Sequence, residues 1–191
     1  MTDLLAQSRA LIEQYGLSVS SSSESCPECG AIVPVVPDGP THPYFGASPG
    51  CWALYTALLG REFAHWDAGT HRLSVDTYAV QHPGSSSRQA AINSVGVHLT
   101  ALCLVFDRGI PVEVVIRAMG DLSKGRAFAF HPLAPPELPN PITIVGLVDA
   151  ETPEEYNARV REWAQSTWEL WSARHDQVRA WADLALNLAN M

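Results

Sequence analysis

The stretch SESCPECGAIVPVVPDGPTHPYFGASPGCW, residues 23–52, constrains the fold more than any other part of the chain. Its prolines and glycines predict no regular element across residues 30–50. A segment of this kind needs something other than a backbone ladder to fix it, and its cysteines offer that. Cys26-Pro27-Glu28-Cys29 presents two sulfurs from one tight turn, which Pro27 and Gly30 favour. Zn²⁺ takes four nitrogen or sulfur donors in a tetrahedron. The nearest further donors are His42 and Cys51, so the predicted ligand set is Cys26, Cys29, His42 and Cys51. Ser48-Pro49 reads as a capped helix start. Cys51 then falls in a first helical turn, where free amides and the helix dipole favour the thiolate a metal needs. A thioredoxin-like redox pair would need a strand before the motif and a helix opening at it. A Ser-rich run and a Pro-rich loop flank it instead. Unliganded thiols are the remaining alternative.

Apolar periodicity downstream predicts a mostly α fold, about five helices in a bundle-like single domain with Pro-rich loops. Residues 1–22 read as an N-terminal helix and a flexible Ser-rich linker, and residues 23–191 as the knuckle plus the helical domain. The first helix covers residues 3–15 and stops at Gly16. The second carries Trp52, Tyr55, Leu59, Phe63 and Trp66 as a stripe. Residues 72–84 fit a short strand or a short helix, ended by Pro83. Ser86 and Gln89 form a candidate capping box for a helix to about Asp107, apolar over so wide an arc that it belongs in the core. A helix over residues 111–123 turns Val114, Val115, Ala118 and Leu122 inward. ITIVGLV suggests a short strand. Thr152, Pro153 and Glu155 then open the last helix, with a break near Ser172.

Several polar residues fall where a core is expected. His98 lies mid-helix on an apolar stripe, and His175 sits between Trp171 and Val178 on another. Asp76, Gln81 and His82 share one segment, VDTYAVQHPG. A buried imidazole needs a hydrogen-bond partner or a metal. Asp76, Gln81, His82, His98 and His175 are therefore the candidate pocket, for a second metal ion of undetermined identity or a small ligand. The plain alternative is that each histidine satisfies a local polar group. Arg61 and Glu62 read as a solvated face.

Charge and motif content narrow the function classes. A net charge of −8 disfavours nucleic acid as a partner, although RGIPVEVVIRAMG could open a helix-turn-helix. No signal-peptide pattern and no run of about 20 apolar residues predict a cytoplasmic chain with no membrane partner. Gly-x-Gly-x-x-Gly, P-loop and Gly-x-Ser-x-Gly motifs are absent.

Taken together, CPECGA, HPYFGASPGCW, VDTYAVQHPG, SVGVHLTALCL and WSARHDQVRAW resemble the pattern of an uncharacterised bacterial family filed as a domain of unknown function. The resemblance spans about residues 26–182 and implies a small, mostly cytoplasmic bacterial protein with no assigned activity. It would place a second histidine beside His175, where this chain has Arg174. The expectation is a zinc-binding helical protein with a polar pocket. If that pocket is catalytic, hydrolytic or oxidative metal chemistry is the default. The alternative is a zinc-stapled module that binds a protein partner without catalysis.

Overall fold

The computed structural model describes residues 3–65, 68–124, 130–137 and 141–189. Asp3 caps helix α1 (Leu4–Gln14), its carboxylate accepting from the amides of Leu5 and Ala6. The Ser-rich segment does not stay a linker. Ser23–Ser25 forms strand β1, antiparallel to β2 (Ile32–Pro34), with Glu24 opposite Val33. The Cys-x-x-Cys turn is the loop of this hairpin. It also corrects the expectation that residues 30–50 hold no regular element: Val33 is fully buried, and its burial holds β2 in register.

Among the described residues there are seven α-helices, not about five, with the two short strands. The ambiguous segment is helical, α3 (Ala68–Gln81), following α2 (Pro49–His65). Then come α4 (Gln89–Phe106) and α5 (Val112–Lys124). ITIVGLV yields a 3₁₀ turn, Ile144–Leu147, rather than a strand. The last helical stretch splits into α6 (Pro153–Leu170) and α7 (His175–Ala189) around a 3₁₀ turn, Ser172–Arg174. His175 stacks on Trp168 at 3.7 Å between ring centres, and its Nε2–H donates to the Trp168 carbonyl, which fixes that corner.

The capping signals differ in outcome. Thr152 Oγ1 accepts from the Glu155 amide at 3.2 Å, and Glu155 reaches back to the amide of Glu151. The box is therefore one residue wider than the usual form, which returns to the cap itself. Replacing Thr152 with Ala is expected to cost about 1 kcal/mol, read from the urea midpoint at unchanged slope. Ser86 does not cap α4. Arg88 holds that position without a side-chain bond, and Gln89 instead donates to Asn93.

The core is built around α4, which packs on α3, α5, α6 and α7. Leu99, Leu102, Cys103 and Leu104 are fully buried there. By length and composition alone α4 could cross a membrane, but most of it is enclosed by these helices. On α2, Tyr55 is buried while Phe63 is exposed, contrary to the expected stripe. Trp66 and the side chain of Leu122 lie outside the described residues. On α5, Val115 faces inward and Val114 outward.

Candidate metal centre

Three chain segments deliver four donor atoms to one point. Cys26 and Cys29 come from the hairpin loop, where the Cys26 amide donates to Ala31 O and the Gly30 amide to Cys26 O. Cys51 comes from the first turn of α2. There Ser48 does cap, its hydroxyl accepting from the Cys51 amide at 3.3 Å. His82 follows the last residue of α3, with Pro83 ending the helix behind it. The four side-chain donor atoms lie within 4.8 Å of one another, and all four residues are buried.

The spacings suit a tetrahedral ion. Cys29 Sγ lies 3.8 Å from Cys51 Sγ, and His82 Nε2 lies 3.5 Å from Cys26 Sγ and 3.4 Å from Cys51 Sγ. Metal–sulfur bonds of about 2.3 Å and metal–nitrogen bonds of about 2.0 Å at tetrahedral angles give edges of about 3.8 Å and about 3.5 Å. The tautomer also fits. His82 Nδ1–H donates to the Tyr78 carbonyl at 2.8 Å, which leaves the Nε2 lone pair for the centre. Tyr78 OH donates to Cys51 Sγ at 3.6 Å.

Crowding perturbs these groups strongly. Hydrogen bonds from Cys29 and Cys51 hold the Cys26 thiol far below its ordinary range, while contacts with Cys26 and Cys29, then burial, push Cys51 up. Burial, the largest single influence on His82, lowers it, but the sulfurs of Cys26 and Cys29 together outweigh burial and lift it to about 10. A buried cluster in which sulfur negative charge gathers beside an imidazole is what a divalent cation stabilises.

Glu28, between the two knuckle cysteines, ties the ligand-bearing segments together. Its Oε2 accepts from the Gly46 amide at 3.1 Å and its Oε1 from the Gly84 amide at 2.9 Å. One carboxylate thus clamps the hairpin loop, the approach to α2 and the chain just past His82. Burial pushes the Glu28 carboxyl upward in pKa. Gly84 has φ +65°, and a Cβ there would meet Tyr44 O at 2.0 Å. Gly84→Ala is therefore expected to destabilise by at least about 2 kcal/mol, measured by urea unfolding.

His42 is not part of this centre, which corrects the predicted ligand set. Its ring stacks on Phe45 at 4.0 Å and lies edge-on to Tyr44 at 4.2 Å. Aromatic packing claims the ring, and His82 supplies the nitrogen donor instead. Of the five-residue pocket only Asp76 and His98 meet. His82 serves the cysteines. His98 Nδ1–H donates to Asp76 Oδ1 at 2.6 Å, while Arg72 Nε–H donates to Asp76 Oδ2 at 2.7 Å. Gln81 donates to Ile142 O and Thr167 Oγ1, and His175 is held by Trp168. Asp76 is a buried carboxylate that accepts from both Arg72 and His98. Asp76→Ala is expected to cost about 3 kcal/mol, because Arg72 and His98 lose their acceptor in a nearly dry site.

Glu62 was not expected to be buried. Its Oε1 accepts from Tyr156 OH at 2.8 Å, and its Oε2 from His71 Nδ1 at 2.8 Å and Ser74 Oγ at 3.0 Å. Arg61 donates to the carbonyls of Val148 and Ala150 at 3.1 Å each. The pair joins α2 to α6 and to the turn before it, and is not a solvated face.

A family model, described as a family of unknown function (DUF5946), matches residues 24–172, a span that contains all four donors, and the chain belongs to that family. Comparisons with curated proteins and with solved structures give no match.

Proposed function

We propose that this member of DUF5946 is a zinc-stapled helical domain, in which Cys26, Cys29, Cys51 and His82 hold one structural ion. The observation that carries this reading is the convergence of four buried donors from three segments at tetrahedral spacing. Four protein donors leave no open position for water or substrate, which is the pattern of a structural rather than a catalytic site. Sulfur-rich S₃N donor sets favour zinc over oxygen-seeking ions. The ion supplies folding energy, and the chain supplies the cage, the tautomer and the clamp through Glu28.

This supports the binding-module reading over the metalloenzyme one. Among the described residues, no second group of three or more His, Cys, Asp or Glu donors meets the same spacing. None of the four cysteines is in a disulfide, which leaves the three at the centre available as metal ligands. The net charge of −8 favours partners other than nucleic acid.

Elemental analysis tests the reading. The purified protein is expected to carry one equivalent of zinc per chain, and Cys26→Ser and Cys29→Ser to lose it. Zinc content unchanged in both variants, or no zinc in the parent protein, would overturn it.

A further inference from the structure

Asp76 and His98 form a titratable pair that the metal centre does not use. Asp76 lies on α3 and is buried, and its Oδ1 accepts from His98 Nδ1–H on α4 at 2.6 Å. Its Oδ2 accepts from Arg72 Nε–H at 2.7 Å, one turn earlier on α3. The carboxylate is pinned through both oxygens, and it fixes the imidazole in the tautomer whose lone pair is on Nε2. That nitrogen is open. It has no partner among the described residues, and it is not one of the enclosed, unpartnered atoms of the interior. The His98 side chain is 17% exposed. Arg72 Nη1 is likewise neither bonded nor enclosed, so the guanidinium keeps a donor for an anionic group.

The other histidines are placed differently. His82 Nε2 faces the cysteines, His175 Nε2 is spent on Trp168 O, and His42 is packed among rings. His131 is exposed, and its Nδ1 faces a backbone carbonyl rather than a carboxylate. His71 pairs with Glu62 and serves as the internal comparison.

An imidazole held by a carboxylate through Nδ1 and bare at Nε2 is placed to act as a nucleophile. The carboxylate stabilises the positive charge that the ring gains as Nε2 forms a bond. A nearby guanidinium with a spare donor favours an incoming phosphoryl group, whose oxygens are anionic, over a neutral acyl group.

We propose that His98 Nε2 is a phosphoryl acceptor, charged by a small donor of high transfer potential such as a phosphoramidate or an acyl phosphate, with Asp76 as its positioning residue. With phosphoramidate, the Nε2 lone pair forms the new N–P bond and the donor's own P–N bond breaks. Its electron pair leaves with ammonia, Nδ1 keeps its proton on Asp76, and nothing is oxidised or reduced. The proposal does not rest on the metal reading above.

The test is incubation of the full chain with potassium phosphoramidate, followed by peptide mapping and phosphorus NMR. One phosphoryl group is expected on His98, at Nε2, forming at least about tenfold faster than on His131. In urea the two rates should converge, because the advantage belongs to the fold. His98→Asn should abolish the rapid phase and leave metal content unchanged. Asp76→Asn should slow it about tenfold or more and admit the Nδ1 isomer, a change of product that a merely structural role would not produce. Circular dichroism accompanies each variant. If Asp76→Asn does not fold, the rate ratio and the isomer formed in the parent protein decide. Equal labelling of His98 and His131, prior labelling of His71, or an Nδ1 product in the parent would overturn the proposal.

Discussion

Cys51→Ser is expected to release the metal and to lower stability by more than about 5 kcal/mol, a fall in Tm of more than about 10 °C for a chain of this size. The size of the effect follows from what Cys51 joins. Its Sγ is fully buried at the start of α2, against Cys29, His82 and Tyr78. Without the ion, β1, β2 and the loop to Ser48 keep the short ladder, the Glu24 and Glu28 carboxylates on nearby amides and the packing of Val33 and Phe45, but lose the cross-link to α2 and to the end of α3. Structural zinc contributes on the order of 10 kcal/mol or more in small sites, comparable to the whole stability of a typical domain. A strong chelator added to the parent protein should reproduce the loss, and scanning calorimetry reads both. Identical melting of parent and variant would show that the thiols stabilise nothing as a group.

The second large effect separates the two candidate histidines. His82→Ala is expected to weaken metal binding by more than about 100-fold, since even outer partners of a ligand are worth about 10- to 100-fold. His42→Ala should leave affinity within about threefold, because that imidazole packs against Phe45 and Tyr44 and donates nothing to the centre. His82→Cys should retain the ion in an all-sulfur cage. Competition against a chromophoric chelator measures all three. The reverse ranking of His82 and His42 would restore the ligand set expected from spacing alone.

That reversal of histidines shows what local sequence can and cannot carry. The sulfurs were legible because the Cys-x-x-Cys turn and the Ser48-Pro49 helix start are both local signals, and both positions adopt the expected geometry. The nitrogen was not. His42 is nine residues from Cys51 and His82 is 31 away, and chain proximity favoured the wrong one. A usable signal did exist, since His82 precedes Pro-Gly at the end of a segment, where a helix must stop and a side chain can be presented. Recognising it required α3 to be read as a helix. Its pattern hides that, because Ser74, Asp76, Thr77, Gln81 and His82 are polar yet buried, and no clean apolar face is left.

The same cause dispersed the expected pocket. Polar residues at core positions read as converging on one ligand, whereas only Asp76 and His98 meet and the others have partners elsewhere. Asp76 anchors Arg72 and His98, Gln81 reaches α6, and His175 closes the corner before α7. Sequence patterning marks a buried polar group well and says little about which neighbour satisfies it. The wide apolar arc of α4 was the opposite case. Its burial against four helices follows from the breadth of that arc, which leaves only Gln89, Ala90 and Asn93 exposed near its start.

X-ray absorption at the zinc edge of the purified protein tests the central claim most directly. The account predicts one ion per chain with three sulfurs at about 2.3 Å and one imidazole nitrogen at about 2.0 Å, and loss of the imidazole scattering in His82→Cys. A shell containing oxygen or water donors, or an imidazole signal that survives His82→Cys and vanishes in His42→Ala, would contradict it.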